Sequence, residues 1–212
     1  MSNFSIKALK DHALVSLEGN WSDAAIVTFV FYFITLILSE GITSFIGNEG
    51  ARLTVMVLYA LICAPLTWGF VVMFLDFIRG DKLRSGKLFD GYKGNWMRIF
   101  TTYLLVEIYT ALWTLLLIVP GIIKSLSYSM TFFVLRDNPH LSNNAAIEKS
   151  MQLMDGHKMQ LFWLYLSFIG WFILALLTLG IGFILLVPYV NTTLAHFYEQ
   201  LKAEDFNERL NG

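Results

Sequence analysis

Glu107 is the side chain with the most chemical potential in this sequence, because it stands near the middle of a long apolar run. An ionised carboxylate is costly in hydrocarbon, so such a residue is by default a candidate for a proton or ion path. Counting helical rise, it lies about 18 Å below Pro120. Asn191 and Thr192 on the last apolar run fall at a similar depth, and His196 lies nearer the inner face. A Glu–Asn or Glu–His contact between helices would make a proton or ion site. The favoured reading is structural: a protonated Glu107 hydrogen-bonded to a neighbouring helix.

Other residues offer less. Lys124, four residues past Pro120, is placed to snorkel to the outer interface as an anchor, with lipid phosphate as its other possible partner. Gly121, Ser125 and Ser129 recur at intervals of four and predict close helix packing. The segment from Arg79 to Arg98 holds six basic residues, and Arg79, Lys82, Arg84 and Lys87 are expected to meet anionic lipid headgroups. The string from Gly80 to Lys87 imitates a phosphate-binding loop. It has one residue too many between its glycines, and Leu88 stands where Ser or Thr is needed. The four histidines, His12, His140, His157 and His196, lack metal-ligand spacing, so neither a metal nor any other cofactor is expected. A nucleic-acid partner is not expected either, since topology accounts for the basic residues.

These side chains must be carried by membrane-spanning helices. Of 212 residues, 56% are hydrophobic and 15% charged, where a soluble domain has about a quarter charged. The single cysteine, Cys63, excludes an internal disulfide. No cleaved signal peptide is expected, because acidic residues precede a first apolar run that is long for one. A bilayer core needs roughly 20 apolar residues of helix. The runs predict an all-α membrane protein of about six spans, at 24–45, 54–78, 98–119, 121–136, 159–178 and 180–198. Pro120-Gly121 leaves open whether residues 98–136 make two spans or one kinked helix. Charge favours six: with the N-terminus inside, only Arg52 and Lys124 fall outside, leaving 13 of the 15 basic residues within.

Three entry segments repeat. Glu18-Gly19-Asn20-Trp21, Lys93-Gly94-Asn95-Trp96 and Asp155-Gly156-His157-Lys158 precede the first, third and fifth runs. Each follows a stretch with apolar residues at helical spacing: Leu9, Ala13 and Leu17; Leu88 and Tyr92; Ile147, Met151 and Met154, the last with Ser142 as N-cap. Glycine there predicts a left-handed helix cap, and Trp21 and Trp96 suit the headgroup level. The expected unit is an amphipathic inner-surface helix followed by a helical hairpin, with repeats at 4–78, 82–137 and 139–199 in a single domain. Each unit has a proline in or beside its second helix, Pro65, Pro120 and Pro188. Asp76 and Glu199 follow the first and last of these by eleven residues.

The blocks Ile118-Val119-Pro120-Gly121, Asp137-Asn138-Pro139, Leu166 to Trp171, Leu177 to Gly182 and Pro188-Tyr189 occur in an order that resembles the bacterial integral-membrane family catalogued as domain of unknown function 975. The resemblance implies a multi-pass bacterial inner-membrane protein without an assigned activity. The family is similar in organisation to the membrane domain attached to some glycerophosphodiester phosphodiesterases. The motifs of their soluble catalytic barrel are missing here, so that activity is not carried over.

The expected function is therefore non-enzymatic: binding lipid, shaping or protecting the membrane, or partnering another membrane protein. A small transporter with a polar path near Glu107 is the alternative, and a lipid-modifying enzyme the third. Glu107→Gln discriminates. Loss of a membrane-linked phenotype with an unchanged fold is expected of a proton path, and an unchanged phenotype and fold would leave no relay role for this residue.

Overall fold

Backbone N–H and C=O groups cannot stay unpaired in hydrocarbon, and the chain satisfies them with helices. The computed structural model describes residues 5–43 and 49–211, with backbone alone for 42, 43, 49–56 and 211. The end of the first expected span, at 44 and 45, and the side chain of Arg52 lie outside the described residues.

The elements are α1 (Ile6–Leu17), α2 (Trp21–Thr43), α3 (Glu49–Ile78), a 3-10 helix (Ser85–Tyr92), α4 (Trp96–Leu116), α5 (Ile118–Tyr128), α6 (Thr131–Asp137), α7 (Asn143–Leu153), α8 (Lys158–Leu166), α9 (Ile169–Leu177) and α10 (Phe183–Asn211). No strand occurs among the described residues. Among the described residues, five helical stretches are long and apolar enough to cross a membrane: 21–41, 57–78, 96–116, 118–137 and 158–177. The expected sixth, 180–198, falls in α10 and is not among them. Asn191, Thr192, Thr193 and His196 dilute its apolar run. The packing accommodates these residues, because α10 lies against α1, α2, α3, α7 and α9. Thr192 and Thr193 are buried, and their hydroxyls donate to the Pro188 and Tyr189 carbonyls of the same helix at 2.8 Å each.

Residues 98–136 do not form one kinked helix. The chain turns at Leu117, whose backbone is extended (φ −161°, ψ 141°), three residues before the proline. Pro120 falls in the first turn of α5, where its missing N–H would have no helical partner anyway. α4 and α5 then run antiparallel. The Lys124 ammonium sits 5.1 Å from the Trp113 ring centre, and the Tyr109 and Tyr128 rings are 6.4 Å apart. A Cβ on Gly121 would strike the backbone of Thr114, so this glycine sets how closely the two helices approach.

The three entry glycines are all left-handed: Gly19 at φ +76°, Gly94 at +72° and Gly156 at +77°. In each case a helix starts two residues later, at Trp21, Trp96 and Lys158. Leu9, Ala13 and Leu17 of α1 are buried as their spacing predicts. Ser142 caps α7 through Ala145 N–H at 3.3 Å. On α7 the buried face is Ala146, Ile147, Ser150 and Leu153, with Met154 buried just beyond and Met151 half-buried.

The second entry stretch is a 3-10 helix pressed onto α3, where an amphipathic surface helix was expected. Close backbone contact explains this. A Cβ on Gly69 would meet the Leu88 carbonyl, and one on Gly91 would meet the Pro65 carbonyl. The Tyr92 hydroxyl donates to the Ile62 carbonyl, in the turn where Pro65 weakens the helical hydrogen bonds. Leu88 is buried, while Tyr92 remains partly exposed.

Gly91→Ala should therefore destabilise the fold by about 2 kcal/mol through overpacking, read as a lower thermal midpoint in detergent. Gly86→Ala, where an added Cβ meets open space, is the matched control.

Candidate functional site

The ends of α3 and α6 and the middle of α10 carry charged residues that face one another. α3 brings Asp76, with Arg79 just past its end; α6 brings Arg136 and Asp137; α10 brings Glu199 and Lys202. Asp137 is the centre. Arg79 donates to both its oxygens, Nη1 to Oδ1 at 2.7 Å and Nη2 to Oδ2 at 2.8 Å, the fork geometry that makes such pairs strong. Lys202 Nζ donates to the same carboxylate at 2.6 Å, and the Tyr198 hydroxyl does so at 3.1 Å. Arg79 also donates to Glu199, through Nε at 2.7 Å and through Nη2. The Asp137 side chain is only 14% exposed, so solvent screens these pairs weakly. Hydrogen bonding to Asp137, and after it to Glu199, holds the Arg79 guanidinium above its ordinary range against the opposing effect of burial.

A second cluster flanks the first. Asp76 accepts from Arg136 at 3.2 and 3.3 Å and lies 3.9 Å from Lys87, which also pairs with Asp81. That lysine holds the Asp81 carboxyl below its usual value. A cleft of about 540 Å³ opens beside Asp137, lined further by Lys149, Asp205 and Arg209. Lys149 and Arg209 both pair with Asp205, at 2.8 and 3.1 Å. Chemically this is a clamp, in which carboxylates and cations satisfy one another across three helices.

Charged side chains also close the breaks in the helices. Lys10 of α1 donates to the Ser167 carbonyl at 3.2 Å, where α8 ends, and lies 4.5 Å from the Phe168 ring centre. Burial pushes its amine below the ordinary value, with Asp11 opposing. Arg98 donates to the Leu141 and Asn138 carbonyls at 2.9 and 2.8 Å, fixing the segment between α6 and α7.

The residues singled out from sequence are dispersed. Glu107 is exposed on the outward side of α4. Asn191 donates to the Val187 carbonyl of its own helix at 2.9 Å, and Thr192 is buried. His196 shares a 2.9 Å hydrogen bond with Ser16, and its ring lies 5.8 Å from that of His12. Of the loop cations, Arg79 and Lys87 are held in ion pairs, whereas Lys82 and Arg84 are exposed. Gly121 packs against Thr114 of α4. Ser125 is exposed and bonds Ile122 of its own helix at 2.8 Å, and Ser129 bonds Leu126 at 2.7 Å. α5 meets α7 through Ser127 instead, whose carbonyl accepts from Ser150 at 2.9 Å. Lys124 lines a pocket with Glu148, Asp155 and Lys158, the last of which the charge count puts on the opposite face.

The family model described as protein of unknown function (DUF975) matches residues 1–127 and 114–205. The chain belongs to this family. No curated protein and no solved structure matches it. For this DUF975 protein, then, an all-helical fold with five helices among the described residues long and apolar enough to cross a membrane marks a membrane protein. The Asp137 clamp was missed in the sequence, although Asp76 and Glu199 stood at matched distances from Pro65 and Pro188. The missing signal was that Arg79 and Lys202 each stand three residues further on.

Asp137→Asn leaves Arg79 and Lys202 without their shared carboxylate and should cost about 2 kcal/mol, less than a fully buried pair because Arg79 is partly exposed. Thermal unfolding in detergent measures it. The charge exchange Arg79→Asp with Asp137→Arg should recover part of the loss.

Proposed function

We propose that this DUF975 protein is a non-enzymatic, lipid-holding protein of the bacterial inner membrane, built as three helical hairpins with both termini cytoplasmic. The apolar start of α10 serves as the sixth crossing in this arrangement, shielded by its neighbours. Placing the charged clamp and the exposed Lys82 and Arg84 inside agrees with the positive-inside bias.

The observation that carries the lipid reading is an apolar groove of about 560 Å³ on the side of the bundle, lined by Phe29, Phe33, Leu36, Tyr59 and Phe183 among others. Its volume and apolar walls suit an acyl chain, and Thr35 and Ser39 of α2, which line it beside Tyr32, turn their hydroxyls onto their own helix. A transporter would need Glu107 to face the polar residues of α10, and its outward exposure gives that reading no support. A partner membrane protein remains compatible with the same exposed flank.

Thr35→Phe with Ser39→Phe fills the groove. The variant should retain about one phospholipid fewer per chain after purification in mild detergent, counted by phosphorus and by native mass spectrometry. Equal retention would remove the groove from the lipid reading. A reporter fused after Asn211 should be active only in its cytoplasmic form, and a periplasmic result would reduce the spans to five.

A further inference from the structure

The pocket around Lys124 is distinct from both the clamp and the groove. It measures about 450 Å³ and is lined by Ile123, Lys124 and Ser127 of α5, Glu148, Met151 and Gln152 of α7, and Asp155 and Lys158 at the entry to α8. Lys158 is the first residue of a candidate span, so the pocket opens where hydrocarbon gives way to headgroups. Its four charges balance, two lysines against two carboxylates. Lys158 and Asp155 already pair at 3.3 Å. That leaves one cation and one anion uncommitted: among the described residues Lys124 forms no ion pair and has only the Trp113 ring beneath it, and Glu148 is exposed and forms no ion pair.

A purely anionic headgroup would meet Lys124 favourably but would be repelled by Glu148. A zwitterion with a phosphodiester at one end and a primary ammonium at the other matches both. The ammonium can donate a charge-assisted hydrogen bond to the Glu148 carboxylate, which a quaternary ammonium cannot. The walls beside the pocket suit lipid tails, since Ile122 and Ile123 of α5 and Met159 and Phe162 of α8 are exposed.

We propose that this pocket binds the headgroup of an aminophospholipid, with Lys124 on the phosphate, Glu148 on the ammonium, and the acyl chains along the seam between α5 and α8. The assignment rests on the lipid-holding reading and narrows it to one lipid class.

The test uses the full chain, delipidated in mild detergent and exposed to an equal mixture of phosphatidylethanolamine, phosphatidylcholine and phosphatidylglycerol with identical acyl chains, with bound lipid read by native mass spectrometry. Phosphatidylethanolamine should be retained about fivefold over either competitor, the scale of one partly screened charge pair. Glu148→Gln should abolish that preference while phospholipid still binds, Glu148→Asp should keep part of it, and Lys124→Gln should lower retention of all three classes. Glu148 is exposed and Lys124 half-exposed, so unchanged thermal midpoints are expected and confirm folding. Soluble glycerophosphoethanolamine should fail to displace the lipid. Displacement would mean that the site reads a free headgroup and would overturn the lipid assignment. Equal retention of the three lipids, or a preference that survives Glu148→Gln, overturns the aminophospholipid proposal and leaves the acyl groove intact. Retention of no phospholipid at all overturns both.

Discussion

Asp137 accepts hydrogen bonds from side chains on two other helices, and the arrangement of the bundle follows from that convergence. Hydrophobic burial cannot order helices in a membrane, because lipid tails are as apolar as the side chains they would replace. Directional polar contacts must do it. The Arg79 fork ties the end of α3 to α6, Lys202 and Tyr198 tie α10 to the same carboxylate, and Glu199 closes the triangle back onto Arg79. A pair buried in this way is weak evidence for stability but strong evidence for register. Sliding α3 by one turn along α10 would separate Arg79 from both its carboxylates at once.

The same logic governs the ends of the helices. Each break frees carbonyls that water would satisfy in a soluble protein. Lys10 supplies the donor where α8 stops, Arg98 where α6 stops, and the Tyr92 hydroxyl where Pro65 disturbs α3. All three donors come from elements outside the helix they serve. The short entry segments are thus structural parts of the bundle, and α1 and the 3-10 helix are held by the defects they repair. At the far end of the α4–α5 hairpin no such donor is needed. Leu117 turns the chain in one extended residue, and Leu115 to Val119 present only apolar surface, each more than 60% exposed.

What the sequence disclosed depended on how local the cause was. The left-handed glycines at 19, 94 and 156 were legible because a glycine before a new apolar run has a local steric meaning. Leu9, Ala13 and Leu17 were legible because helical spacing alone puts them on one face. The 3-10 helix was misread as a surface element, since its place depends on Gly69 and Gly91 meeting backbone on another element. The polar path around Glu107 rested on equal depth. Depth along a helix says nothing about azimuth, and Glu107 points outward while Asn191 bonds back to its own helix. The clamp was hidden for the converse reason: its members lie as far apart as Arg79 and Lys202, and only the fold reveals that they meet.

Lys124 shows where a count of charges by loop stops being informative. Such a count assigns each basic residue to a side from the boundaries of the spans, and it put Lys124 outside and Lys158 inside. Both line one pocket. The contradiction dissolves once α5 and α6 are seen as two helices with a break at Ser129 and Met130, and α7 as a helix packed against α4, α5 and α6. α7 reaches into the bundle far enough for Ser150 to bond the Ser127 carbonyl and Asn143 to bond Thr101 at 2.5 Å. The polar surface therefore extends inward beside α5, and a lysine within an apolar run finds its charge next to an interface without crossing hydrocarbon. Where entry helices pack between the apolar helices, the border between polar and apolar surface is folded rather than flat. Under the proposed lipid-holding role, the residues that line this inward fold are the ones that would contact a headgroup.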